Sequence, residues 1–71
     1  MNRFFNYVDP TEYEITNEGL MKACVAEVIA EAKDTGDYPM YSAEDLLRSA
    51  NYLYLDILND VSQLMEAHID S

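Results

Sequence analysis

The sequence predicts an all-α fold: a helical hairpin with a short N-terminal helix, assembled as a homodimeric four-helix bundle. Three observations lead there. From Ser42 to Ile69 runs a capped amphipathic pattern in which Leu46, Leu47, Ala50, Leu53, Tyr54, Ile57, Leu58, Val61, Leu64, Met65 and His68 fall within one helical arc of about 140°. An earlier segment places Leu20, Met21, Cys24, Val25, Val28, Ile29 and Ala32 at helical spacing. Together these faces exceed what 71 residues bury comfortably, because folding at that size hides only roughly 60% of the surface of the unfolded chain. The chain reads as one small domain, residues 1–71, whose excess apolar surface calls for a second copy.

The N-terminal residues Phe4, Phe5, Tyr7 and Val8 offer enough apolar surface to dock on a core, but define no element. Asp9-Pro10-Thr11-Glu12 reads as a helix start, with Asp9 as N-cap, Pro10 in the first helical position and Glu12 reaching back as in a capping box. Thr16 and Asn17 offer a second cap for the first long helix, which runs to about Lys33 and ends at a left-handed Gly36. Its main apolar face spans about 180°, yet Ala23, Ala26 and Ala30 form a second, small-residue ridge. Lys22 and Lys33 hold one polar window and Glu27 and Asp34 another, so the helix is either sandwiched between two neighbours or simply rich in a good helix former.

Asp37 to Tyr41 is a short connector, with Tyr38 biased to extended backbone by Pro39, and a connection this short favours antiparallel neighbours. Ser42 then caps the second helix, with Asp45 three positions on and Glu44 and Asp45 facing the positive end of its dipole. That helix runs roughly 40 Å against about 26 Å for the first, and its surplus turns need cover from the N-terminal segment or another chain. An antiparallel homodimer supplies it most simply, as a globular bundle and not an extended coiled coil, because the arc follows a period near 3.6 instead of a strict seven-residue repeat. Leu47, Ala50, Tyr54, Ile57, Val61 and Leu64 are expected to be buried at its interface, with Leu46, Leu53, Val25, Val28 and Ile29 beside them. Leu55 points away from the apolar arc and lies with Arg48, Tyr52 and Asn59 on the opposite face. A leucine and a tyrosine beside the helix's only arginine have the composition of a partner-binding anchor.

Charge bounds the partners. Fourteen acidic residues against four basic ones give a net charge of −10, which disfavours direct contact with nucleic acid or anionic membranes, since both require clustered Lys and Arg. A basic protein remains compatible. The lone Cys24, among alanines and a valine, reads as a buried, quiet thiol. The start MNRFFNYVDP lacks the pattern of a secretion signal, and no apolar run has the length of a membrane span, so a cytoplasmic location is expected.

Chemistry is thin. One Cys and one His do not pair locally, and Glu66 and Asp70 flank His68 at offsets that put them on different helix faces. Asp34-Thr35-Gly36 repeats the letters of the aspartic-protease triplet but ends a helix where that chemistry needs a strand-borne loop. Asp34, Asp37, Glu44 and Asp45 gather near the connector without the ligand alternation of a calcium loop. No catalytic residue, metal site or cofactor is therefore expected.

Two functions fit. One is a structural or interaction protein that binds through anchors such as Tyr52 and Leu55. The other is a nucleic-acid mimic that inhibits a DNA-binding protein, with Glu12, Glu14, Glu18, Asp34, Asp37, Glu44, Asp45, Asp56 and Asp60 as its carboxylate lattice. In composition and size the chain resembles the small acidic helical accessory proteins of tailed bacteriophages. That resemblance rests on no motif and implies modulation of other proteins by binding.

Overall fold

Two long helices, α1 (Asn17–Thr35) and α2 (Ala43–Asp70), carry the architecture. The structure, a computed structural model, describes residues 4–70, with side chains over residues 4–62. Single 3-10 turns at Pro10–Glu12 and Tyr38–Met40 occupy the connections, and no strand occurs among the described residues. The all-helical hairpin is thus as the sequence predicts, with its short N-terminal helix reduced to one turn.

Local chemistry explains each boundary. The Thr11 amide and hydroxyl donate to Asp9 Oδ1 at 3.0 and 2.6 Å, and these bonds, the hydroxyl's first, hold the Asp9 carboxyl below its ordinary range. Glu12 does not reach back with its side chain; its amide donates to the Asp9 carbonyl at 3.2 Å, because a single 3-10 turn closes on the backbone alone. Thr16 caps α1 by accepting from the Gly19 amide at 2.9 Å. At the other end Gly36 takes φ 83°. Its amide donates to the Lys33 carbonyl at 3.3 Å and that of Asp37 to the Ala32 carbonyl at 3.0 Å, the two bonds of a Schellman ending.

Tyr38 departs from its expected extended conformation and opens the second 3-10 turn. Amide bonds from Met40 to the Asp37 carbonyl at 2.9 Å and from Tyr41 to the Tyr38 carbonyl at 3.2 Å close this turn against the extended preference that Pro39 imposes. The Lys33 ammonium lies 5.0 Å from the centre of the Tyr38 ring, adding a cation–π contact. Ser42 and Asp45 form a complete capping box: the Asp45 amide donates to Ser42 Oγ at 3.1 Å and the Ser42 amide to Asp45 Oδ2 at 3.2 Å.

The helices are antiparallel: Leu20 and Ala23 share a groove with Ile57 and Val61, whereas Ala32 and Thr35 lie with Leu46 and Ser49 at the other end. Phe5, Ala23, Cys24, Ala50 and Ile57 form the buried core, surrounded by half-buried Leu20, Val25, Val28, Leu53 and Tyr54. Small residues at Ala23, Cys24 and Ala50 allow close approach and make a narrow contact. Ala50 and Ile57 are buried as expected, and Val25, Val28 and Leu53 pack beside them; Tyr54, expected to be buried, is half-buried against the core, and Leu46 and Ile29 are half-buried without joining it. Leu47 and Val61 depart from expectation in the single chain, being 53% and 47% exposed. One neighbouring helix covers a stripe narrower than the 140° or so of apolar arc, and α1 sits to the Leu46 and Leu53 side of it. Leu64 falls outside the residues with described side chains.

The α1 face also differs from its expected placement. Ala23 and Glu27 join Cys24 and Ala32 as its buried residues, so Glu27 is no polar window. The helix is held between α2 and the N-terminal segment, which contributes Phe5 to the core.

Gly19 serves a close approach. The chain crosses the start of α1 so tightly that a Cβ at Gly19 would stand 3.0 Å from the Glu14 nitrogen and closer still to its carbonyl group. Gly19→Ala should therefore lower stability by about 1–3 kcal/mol despite alanine's better helix propensity, as read by urea denaturation; a stabilised variant would contradict this crossing. Ile57→Asp should abolish the cooperative unfolding transition, because it buries an unpaired charge in the helix seam. Retained helicity and melting would contradict the core placement.

Candidate interaction surface

A carboxylate in the interior fixes how the surface is laid out. Glu27 is only 2% exposed, and a buried charge is costly unless hydrogen-bonded. Three consecutive backbone amides supply those bonds: Asn6 donates to Oε2 at 3.0 Å, while Tyr7 and Val8 donate to Oε1 at 2.9 and 3.1 Å. Successive amides turned to one point make a concavity that favours an anion, and bonds to a charged acceptor are the stronger kind. One turn-pair along the helix, Tyr7 Oη donates to Asp34 Oδ2 at 2.9 Å. That bond raises the phenol above its ordinary value, assisted by desolvation and the charges of Asp34, Glu31 and Glu27. The segment from Phe4 to Val8 is thereby strapped to the middle and end of α1.

Cys24 lies one turn before Glu27 and is fully buried, as expected. Burial, and secondarily the Glu27 charge, push its thiol upward, which disfavours the reactive thiolate. The Asp34-Thr35-Gly36 triplet forms the end of α1 and its left-handed cap. The acidic residues near the connector are engaged separately: Asp34 by Tyr7, Asp37 by the Thr35 hydroxyl at 3.3 Å, Asp45 in its capping box and Glu44 by Arg48 at 3.3 Å. No set of three or more metal-ligating side chains converges among the described residues. His68 falls outside the residues with described side chains.

With the strap on one side of α1 and α2 on the other, α2 keeps a continuous stretch of uncovered apolar side chains, while Tyr7, Ile15, Tyr38, Met40 and Tyr41 are exposed elsewhere. Tyr52 is 65% and Leu55 50% exposed, and Arg48 and Asn59 are exposed beside them. The structure thus brings the four sequence-predicted anchor residues together on one open face. Beside that face, Leu47, Leu58 and Val61 remain exposed along a second line. Near Val61 an apolar groove of about 420 Å³ opens between Leu20, Ile57 and Leu58, with a fully exposed Ile15 at its rim. A more polar cavity of about 350 Å³ lies between the strap and the opposite end of the hairpin, with Glu27, Glu31 and Asp37 in its lining.

No helix among the described residues is long and apolar enough to cross a membrane. No family model, curated protein or solved structure matches this chain.

Glu27→Gln keeps the side chain's shape but turns one acceptor oxygen into a donor that meets an amide. It should cost about 1–3 kcal/mol in denaturation and speed hydrogen exchange at Asn6, Tyr7 and Val8. Unchanged exchange at all three amides would show that the strap is held by other means.

Proposed function

We propose that this chain is a non-enzymatic protein-binding accessory or regulatory protein, of the phage type its composition resembles, that engages its partner through the outer face of α2. One observation carries the reading: on a chain of net charge −10, the exposed face formed by Arg48, Tyr52, Leu55 and Asn59 concentrates an aromatic ring and a leucine. Aromatic and arginine side chains dominate binding energy where they become desolvated. Arg48 is paired with Glu44 across one turn and remains well exposed, so that pair contributes little to stability and leaves the guanidinium for a partner.

The proposal includes a homodimeric bundle. Leu47 and Val61 are the members of the expected interface that α1 leaves exposed, Tyr54 is half-buried against the core, and Ala50 and Ile57 already serve that core. Exposed apolar side chains in a row mark an interaction surface.

Mimicry of nucleic acid is the second reading, supported by exposed Glu12, Glu14, Glu18, Asp34, Asp37, Glu44 and Asp56. Its lattice is thinned by internal duties. Asp45 caps α2, Asp34 holds Tyr7, and Glu18 and Glu44 pair with Lys22 and Arg48. Apolar recognition is therefore the better-supported of the two.

Capture of partners by the tagged chain at about 50 mM and 300 mM salt separates them, because screening weakens exposed charge pairs. Retention at both concentrations, lost in Tyr52→Ala with Leu55→Ala while helicity persists, is the expected outcome. A basic DNA-binding partner released at the higher salt would favour mimicry, and capture unaffected by the double substitution would remove the α2 face from the proposal.

A further inference from the structure

We propose that Leu47, Asn51, Tyr54, Leu58 and Val61 form a seam that receives a second copy of this chain, with the two α2 helices parallel and in register. This rests on the homodimer reading above and replaces the antiparallel orientation that the surplus turns of α2 suggest in the sequence. The five residues are spaced 4, 3, 4 and 3 along the helix, the interval at which facing positions recur in a two-stranded coiled coil. They lie beside the line of Leu46, Ala50, Leu53 and Ile57 that faces α1, with Tyr54 half-buried between the two lines. Over two heptads a straight helix drifts only about 20° per heptad from such a repeat, so the seam needs little supercoiling.

Its chemistry selects the occupant. Between Leu47 and Val61 the seam carries no charged residue, on a chain of net charge −10. A basic partner finds nothing there to pair with, whereas a second acidic copy can approach between Leu47 and Val61 with no like charges face to face inside that span. Leu47 is 53%, Leu58 37% and Val61 47% exposed, so each has surface to bury. Asn51, exposed in the single chain, carries both a donor and an acceptor on its amide. Opposite a purely apolar surface that amide would be buried without partners, at a cost. Opposite another Asn51 it is satisfied, and an asparagine at such a position fixes register.

The same residue selects the direction. In parallel register every seam residue meets its own copy, so Leu47, Tyr54, Leu58 and Val61 each face an apolar or aromatic equal. An antiparallel arrangement that keeps Asn51 on Asn51 sets Tyr54 against Arg48 and Leu58 against Glu44, burying charges against apolar groups. At the N-terminal end the two Glu44 carboxylates draw together, and each is accompanied by the Arg48 guanidinium of its own helix at 3.3 Å.

The test combines sedimentation equilibrium of the full chain with oxidation of Leu47→Cys and Val61→Cys by oxidised glutathione. The unsubstituted chain controls for buried Cys24. A mass of two chains is expected, together with a covalent dimer from each variant on its own. Cross-linking only when the two variants are mixed would overturn the parallel register and leave the dimer standing. Dimeric mass with no cross-link in any sample would remove the seam but not the dimer. A chain that stays single at the highest soluble concentration would sink both.

Discussion

The layout of this molecule depends on the Glu27 carboxylate and the three amides that enclose it. A charge at 2% exposure is sustained only if its hydrogen-bonding capacity is met locally, and here the N-terminal segment meets it with the backbone of Asn6, Tyr7 and Val8. Because the donors are main-chain groups, what matters is the path of the segment, and its side chains are left for other work. Phe5 enters the core and Tyr7 reaches Asp34. The carboxylate thus holds the short N-terminal segment as a third layer against α1.

Local signals were legible in the sequence and distant ones were not. Asp9, Thr16, Gly36 and the Ser42–Asp45 pair mark the observed boundaries, since capping is decided within about four residues. Glu27 reads as solvated in the sequence because nothing nearby announces that residues 19 to 21 positions earlier supply amides. Its setting among Ala23, Cys24 and Ala26 is the one signal available, as small neighbours leave room for a segment to come close. The need for glycine at position 19 was equally hidden, because it arises from the Glu14 main chain passing overhead. The Arg48, Tyr52, Leu55 and Asn59 face was legible because it follows from helical periodicity alone.

The long amphipathic helix falls between these cases. Its arc was correctly placed, but periodicity cannot say which part of a wide arc a single neighbour covers. Small residues on both helices draw α1 to one side, over Ala50 and Ile57, and the other side stays open at Leu47, Leu58 and Val61. The strap does not reach this region, because Glu27 and Asp34 hold it along α1.

Charge then decides what kind of contact that open side supports. Several carboxylates have structural duties: Asp9 and Asp45 cap, Glu27 anchors, and Asp34 accepts from a tyrosine. Part of the acidity therefore belongs to the fold and would persist whatever the protein binds. The remaining charge makes copies repel beyond contact, over a Debye length of about 8–10 Å in ordinary salt. Association against that repulsion depends on short-range apolar burial and on polar groups that satisfy one another, and both are concentrated on the uncharged line through Asn51.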